Sequence, residues 1–186
     1  KNLFYKFLIN LADDVVVNSQ DFKKEFLNKF NIKAFCIFNP FSKKVIKKNL
    51  RKKINNKFFK KKTINILSVG RLTKQKDHLT LLKSLRQLYY KQNYRTIIIG
   101  DGPEKKNLEE FISNNNLKKY VKLIGYKKNP YPYFLKTNIV VLTSLFEGLP
   151  NILLEAQFLK KYIISTNCPT GPNEILLKGA AGDLVK

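Results

Sequence analysis

The sequence predicts an α/β fold, a doubly wound parallel sheet, and three observations carry that prediction. From residue 63 onward, short β-branched runs alternate with helix-period segments five times, as in repeated strand–helix crossovers. The runs are almost continuously apolar, as strands buried on both faces must be. Each run ends in a loop rich in Gly, Pro, Asn or charge, where an open α/β sheet presents its ligands.

Residues 1–12 form an amphipathic segment, expected as a helix. Asp13-Asp14-Val15-Val16-Val17-Asn18-Ser19 reads as a short buried strand, and Ser19 as the N-cap of a helix over 20–30. Residues 34–38 read as a second strand, stopped by Asn39-Pro40. This opening string is too short to close a sheet by itself and fits the tail of an earlier domain. Eleven of the twenty residues 43–62 are Lys or Arg and none is acidic. Such a block repels itself and is expected as a flexible linker. The expected domain boundaries are therefore a remnant at 1–40, a lysine-rich linker at 41–62, and a ligand-binding domain at 63–186.

Within that domain the strands are expected at 64–70, 95–99, 121–125, 138–142 and 162–166. Helices are expected at 77–90, with Leu79, Leu82, Leu85 and Leu88 on one face, and at 104–114, 130–135, 150–160 and 173–177. The chain begins at Lys1, contains no methionine, and closes as a new apolar run starts at Gly182, so it is expected to be a fragment.

The net charge is +23, which fits a polyanionic partner or a membrane surface. Yet only four of the 36 basic residues are arginine (Arg51, Arg71, Arg86, Arg95), and Asn, Ile and Phe are abundant. That pattern fits an AT-rich genome, whereas selected nucleic-acid surfaces recruit the planar fork of arginine. No RRM, KH or helix-turn-helix signature is present, and no nucleic-acid partner is expected. Cys36 and Cys168 match no metal or redox spacing and read as free buried thiols in a reducing compartment. No apolar run reaches the length of a membrane-spanning helix.

The chemistry concentrates in residues 144–155. A strand leads into Ser144-Leu145-Phe146-Glu147-Gly148-Leu149-Pro150-Asn151, and a helix follows with Glu155 on it. Pro150 suits a first helical position. The loop can offer free amides and a helix N-terminus to an anion, while Glu147 and Glu155 can accept hydrogen bonds from sugar hydroxyls. A phosphorylated sugar or nucleotide fits both features. Gly70-Arg71-Leu72-Thr73-Lys74-Gln75-Lys76-Asp77 follows the domain's first strand, matches neither a dinucleotide fingerprint nor a P-loop, and offers Arg71 and Lys76 to phosphate. Gly100-Asp101-Gly102-Pro103 reads as a structural turn. Tyr126, after Gly125, stands where a base could stack. His78 has no acid or nucleophile beside it and reads as a helix-start residue. Glu174 sits in the first turn of a helix, where a carboxylate favours the dipole. No Ser/His/Asp arrangement and no metal-ligand cluster is visible, so a diphosphate must be met by Arg71, Lys76 and amides.

Four motifs in order resemble the C-terminal, donor-binding half of family-4 glycosyltransferases, which have the GT-B fold. They are Ser68-Val69-Gly70-Arg71-Leu72 with Lys76, then Gly100-Asp101-Gly102-Pro103, then Ser144 to Pro150 with Glu155 in the family's Glu-x7-Glu spacing, and Gly171-Pro172-Asn173-Glu174-Ile175-Leu176. The resemblance covers 63–186, and 13–40 is similar to the end of the family's N-terminal domain. It implies a retaining enzyme that moves a sugar (hexosyl or N-acetylhexosaminyl) from a nucleotide-diphosphate donor, a UDP-sugar, to a glycan or lipid-linked glycan. Catalytic roles fall to Arg71, Lys76 and Glu147. Donor binding falls to Gly70, Tyr126, Gly148, Leu149, Asn151 and Glu155, the last at the ribose. No cofactor and no metal are implied. The setting implied is cytoplasmic surface-glycan assembly, with an anionic inner membrane face as a further candidate partner. The resemblance also implies that the chain stops before the family's closing strand and returning helix. Two alternatives stand beside it: a basic nucleic-acid-binding protein, and another GT-B enzyme such as a UDP-sugar epimerase or a sucrose- or glycogen-synthase-like enzyme.

Overall fold

The computed structural model describes residues 9, 11–52, 54, 56–88 and 93–186. Its centre is a parallel sheet of six strands: β3 (Ile64–Val69), β4 (Tyr94–Ile99), β5 (Val121–Leu123), β6 (Ile139–Leu142), β7 (Tyr162–Thr166) and β8 (Asp183–Val185). Their spatial order is β5-β4-β3-β6-β7-β8. The chain therefore builds outward from β3 in one direction, returns to the middle, and builds outward again from β6. That reversal makes the β3/β6 boundary the topological switch point, the place beyond the strand ends where open α/β sheets take their ligands. β8 extends the sheet by one strand beyond the five expected.

The alternation along each strand divides the core. Leu67, Ile97, Ile99, Val140 and Leu142 point to one face, packed under Phe134, Leu153 and Ala156. Ile66, Ile98 and Val141 point to the other, packed under Leu81, Leu82, Leu85, Leu108 and Ile112. Each fully buried Leu contributes about 1.5–3 kcal/mol, so the sheet is the rigid part on which the loops are mounted. The covering helices are α3 (His78–Gln87), α4 (Lys105–Asn114), α5 (Tyr131–Phe134), α6 (Asn151–Phe158) and α7 (Pro172–Ile175). The helix expected at 77–90 ends at Gln87, and its last expected residues lie outside the described ones.

The opening segment forms a separate parallel pair, β1 (Val16–Val17) with β2 (Phe35–Cys36), joined by α1 (Gln20–Phe30). Both strands are shorter than expected, because only two residues of each find a partner. Ser19 caps α1, its Oγ accepting from Phe22 N at 3.1 Å. The helix expected at 1–12 falls almost wholly outside the described residues.

The lysine-rich segment corrects the expectation of a flexible spacer. Lys43–Leu50 is a helix, α2, capped by Ser42 Oγ at Val45 N. Its eight residues put Ile46 inside, 2 % exposed, with the lysines outward. Phe59 enters the main core, and buried Asn65 of β3 holds the segment by donating to the carbonyl of Lys60 at 3.0 Å. Lysine stems tolerate a helix when their heads reach water, so charge density alone did not decide the backbone.

Candidate functional site

The loops after β3 and β6 meet across the switch point and are tied together by five contacts. Leu145 N donates to Gln75 O at 2.8 Å, and Gln75 Nε2 donates to Phe146 O at 2.9 Å. Thr143 Oγ1, at the end of β6, donates to the carbonyls of Lys76 (3.2 Å) and Asp77 (2.9 Å). The fifth is an ion pair: Lys76 Nζ lies 2.5 Å from Glu147 Oε1, with the side chains 17 % and 8 % exposed. Ser144 Oγ donates to the same carboxylate oxygen at 2.5 Å. Lys76 reaches it because its aliphatic stem runs over Gly70, passing 3.5 Å from where a Cβ there would lie. Thr170 Oγ1 donates to Glu147 O, and Glu147 N donates to Pro169 O at 3.3 Å, so the loop after β7 braces Glu147 as well.

Around this seam the remaining expected residues are placed unequally. Arg71 is exposed and makes no ion pair among the described residues. It is an exposed cation in the loop after β3, with no side-chain hydrogen bond among the described residues, and its donors can serve a ligand. Leu149 turns its side chain into the core, 7 % exposed, and offers only backbone to the site. Asn151 begins α6 and is exposed, with Oδ1 accepting from Asn39 Nδ2 at 2.9 Å. Glu155 lies one to two turns along α6 and accepts from the Tyr131 hydroxyl at 3.0 Å. Burial pushes the Glu155 carboxyl above its usual range, against the pull of that hydrogen bond. Tyr131 is pushed up to about 12 by burial and by the Glu155 charge it bonds, so it stays the donor. Tyr126 is 72 % exposed and shares no hydrogen bond with the others among the described residues, while Gly125 before it takes φ 69° with open space around it.

The other expectations resolve as structural. A Cβ on Gly100 would lie 1.8 Å from Gly70 O, and one on Gly102 would lie 2.5 Å from Leu72 O. The loops after β3 and β4 pack backbone to backbone, and Leu72 N donates to Asp101 O at 2.9 Å. His78 opens α3, buried, and burial with the nearby Lys76 charge lowers its pKa to about 4, so it is neutral near pH 7. Glu174 accepts from Asp21 N at 3.1 Å and so serves the N-terminus of α1 rather than only its own helix. Cys36 and Cys168 are free, Cys168 buried and Cys36 only half-buried.

Sequence reasoning placed Ser144 in the central motif but assigned it no site role, and assigned none to Tyr131, Asn18 or Asn39. Asn18 and Asn39 follow β1 and β2 and bond each other at 3.2 Å. Asn39 also donates to Leu149 O at 3.1 Å, and Asn18 Oδ1 would be 2.7 Å from a Cβ on Gly148. The available signal was their position: polar residues just past strand C-termini. Tyr131 had no local signal, since its partner is 24 residues away.

Residues 49–186 match the family described as Glycosyl transferases group 1. The chain belongs to that family. An uncharacterized glycosyltransferase of Methanocaldococcus jannaschii is 36 % identical over 182 residues, covering 94 % of the chain and 44 % of the relative. A Campylobacter jejuni N-acetylgalactosamine-N,N'-diacetylbacillosaminyl-diphospho-undecaprenol 4-alpha-N-acetylgalactosaminyltransferase is 31 % identical, covering 100 % and 51 %. Among solved structures, Anabaena HepE in complex with UDP and glucose superposes with a TM-score of 0.79 at 22 % identity, covering 100 % and 54 %. The chain thus spans about half the length of the curated relatives it matches. Its mostly parallel α/β sheet is that of GT-B glycosyltransferases. Neither nucleic-acid binding nor epimerisation is supported by these likenesses.

Proposed function

We propose that this group 1 glycosyl transferase chain is the donor-binding part of a retaining enzyme that moves a sugar from a UDP-sugar to a glycan or lipid-linked glycan. The observation that carries the reading is the switch-point seam. Lys76, Ser144 and Glu147 are locked together, Arg71 is exposed in the same loop as Lys76 with no ion pair among the described residues, and Glu155 is held by Tyr131 one to two turns along α6. In the transfer, the bond from the anomeric carbon to the diphosphate oxygen breaks and its electron pair leaves with the nucleoside diphosphate. The acceptor oxygen bonds the same carbon, and its proton passes to the departing diphosphate or to solvent. Arg71 and Lys76 lower the cost of the charge that gathers on the leaving group. Glu147 accepts from donor-sugar hydroxyls, and Glu155 accepts from the ribose. Gly148 offers its backbone to the donor while Asn18 packs where its side chain would be, and the first amides of α6 at Asn151 face the phosphates. Tyr126 and the backbone near it take the base.

The HepE complex holds UDP on the same fold, and the C. jejuni relative is named for a diphospho-undecaprenol-linked sugar. Those names support the donor and acceptor classes proposed. The proposed setting is the cytoplasmic face of a membrane. No helix among the described residues is long and apolar enough to cross one. The reading needs no metal, and EDTA is expected to leave UDP binding unchanged.

Calorimetric titration with UDP tests the site. Saturable binding is expected, weakened about tenfold or more in Arg71→Ala and in Glu155→Ala, since each loses a charge-assisted hydrogen bond. Because burial raises the Glu155 pKa, affinity is expected to fall as pH drops into the range above an ordinary glutamate, and that dependence is expected to vanish in Glu155→Gln. UDP affinity indifferent to both alanine variants would remove the donor-site reading.

A further inference from the structure

A second cationic cavity, of about 590 Å³, lies over one face of β4 and β5. Its walls include Asn56, Lys57, Lys60, Arg95, Lys119 and Lys122. None of the thirteen acidic residues of the chain lines it. It is built apart from the donor loops. Arg95 is the second residue of β4, at the opposite end of the strand from the switch-point loops, and Lys119 closes the turn before β5.

Arg95 makes this more than a patch of surface lysines. It is 7 % exposed and forms no ion pair among the described residues. Its guanidinium donates to Tyr94 O at 2.8 Å and lies over the rings of Phe58 (5.9 Å) and Tyr120 (5.3 Å). Lys122 Nζ sits on the Phe58 ring at 5.0 Å. Aromatic faces soften the burial of a guanidinium but do not supply the counter-charge that a buried cation lacks. A second, independent observation is Asn56. The residue is buried, and its Oδ1 is spent on Phe58 N at 3.0 Å. Its Nδ2 has no hydrogen-bond partner among the described residues. A buried donor without an acceptor and a buried cation without an anion, facing one cavity, share one remedy.

We infer that this cavity is an anion site for a phosphate-bearing group, a diphosphate or phosphomonoester. Arg95 offers a planar fork, Lys57, Lys60, Lys119 and Lys122 offer point charges, and Asn56 Nδ2 donates to a phosphate oxygen. The volume falls within the range of small-molecule pockets. The group can be a soluble phosphate or a lipid headgroup, and the chemistry is the same.

The test titrates the full chain carrying Arg71→Ala, which weakens the donor site, with inorganic pyrophosphate. Saturable binding is expected, and it weakens about tenfold or more in Lys122→Gln and in Arg95→Gln. Lys83→Gln removes the same charge from an exposed position on α3 and is expected to bind like its parent. Lys122 is exposed on edge strand β5, so its variant reports even where Arg95→Gln fails to fold. Co-sedimentation with equimolar phosphatidylcholine–phosphatidic acid vesicles separates the sources. Retention that falls in Lys122→Gln assigns a lipid phosphate, whereas pyrophosphate binding without retention assigns a soluble one. Equal losses in Lys83→Gln and Lys122→Gln would show diffuse attraction by the +23 charge and overturn the site. So would no binding of either probe.

Discussion

Lys76 and Glu147 illustrate how much a single contact organises. Neither charge is fully solvated, and each holds the other at the junction of two loops. Removing one partner strands the other in a poorly hydrated seam, which is costlier than removing both. Lys76→Met is therefore expected to destabilise the chain by about 3 kcal/mol in chemical denaturation, and Lys76→Met with Glu147→Leu to recover most of that loss. Losses that simply add would show that the two side chains are not coupled. Their separation of 71 residues in the chain explains why the sequence could nominate both and not pair them. Arg71 was legible for the opposite reason. It follows a predicted strand in a chain with few arginines, and position alone placed it at the sheet's ligand edge.

At the scale of elements, loops succeed here by touching backbone to backbone. Gly100 lets the turn after β4 lie against Gly70, and that contact supports the loop carrying Arg71. Gly100→Ala drives a methyl into a carbonyl oxygen that cannot rotate away. The expected outcome is a lower melting temperature together with weaker UDP binding, although residue 100 touches no proposed ligand group. A variant with parental stability and affinity would show that the loops can part freely. The glycine was readable as a turn. Its close approach to a strand 30 residues earlier was not, because only strand pairing brings Ile99 beside Val69. The lysine-rich segment taught the converse. Its charge pattern dominated the local reading, yet a single buried residue, Ile46, and a serine cap sufficed for a helix of eight residues.

For the molecule as a whole, the opening β1–α1–β2 segment is joined to the sheet through Asn18 and Asn39, which reach the loop at 148–151. Asn39→Ala deletes three hydrogen bonds, a loss of about 1–3 kcal/mol to that junction. Hydrogen exchange is expected to quicken at the amides of 149–153 while β3 stays protected. Unchanged exchange there would show that the asparagine bridge holds nothing.

By itself the sequence determined the alternation of strands and helices, the parallel sheet and the loops that face its ligand edge. These follow from local periodicity, breaker residues and caps, which act within a few residues. The four motifs carried the family likeness for the same reason, being short and contiguous. Only the tertiary structure decided which side chains meet: Lys76 with Glu147, Tyr131 with Glu155, Asn39 with Leu149, and Arg95 with an acid-free cavity. Those meetings depend on strand order across the sheet, and strand order is set by how separate helices bury their faces, a choice no single stretch of the chain contains.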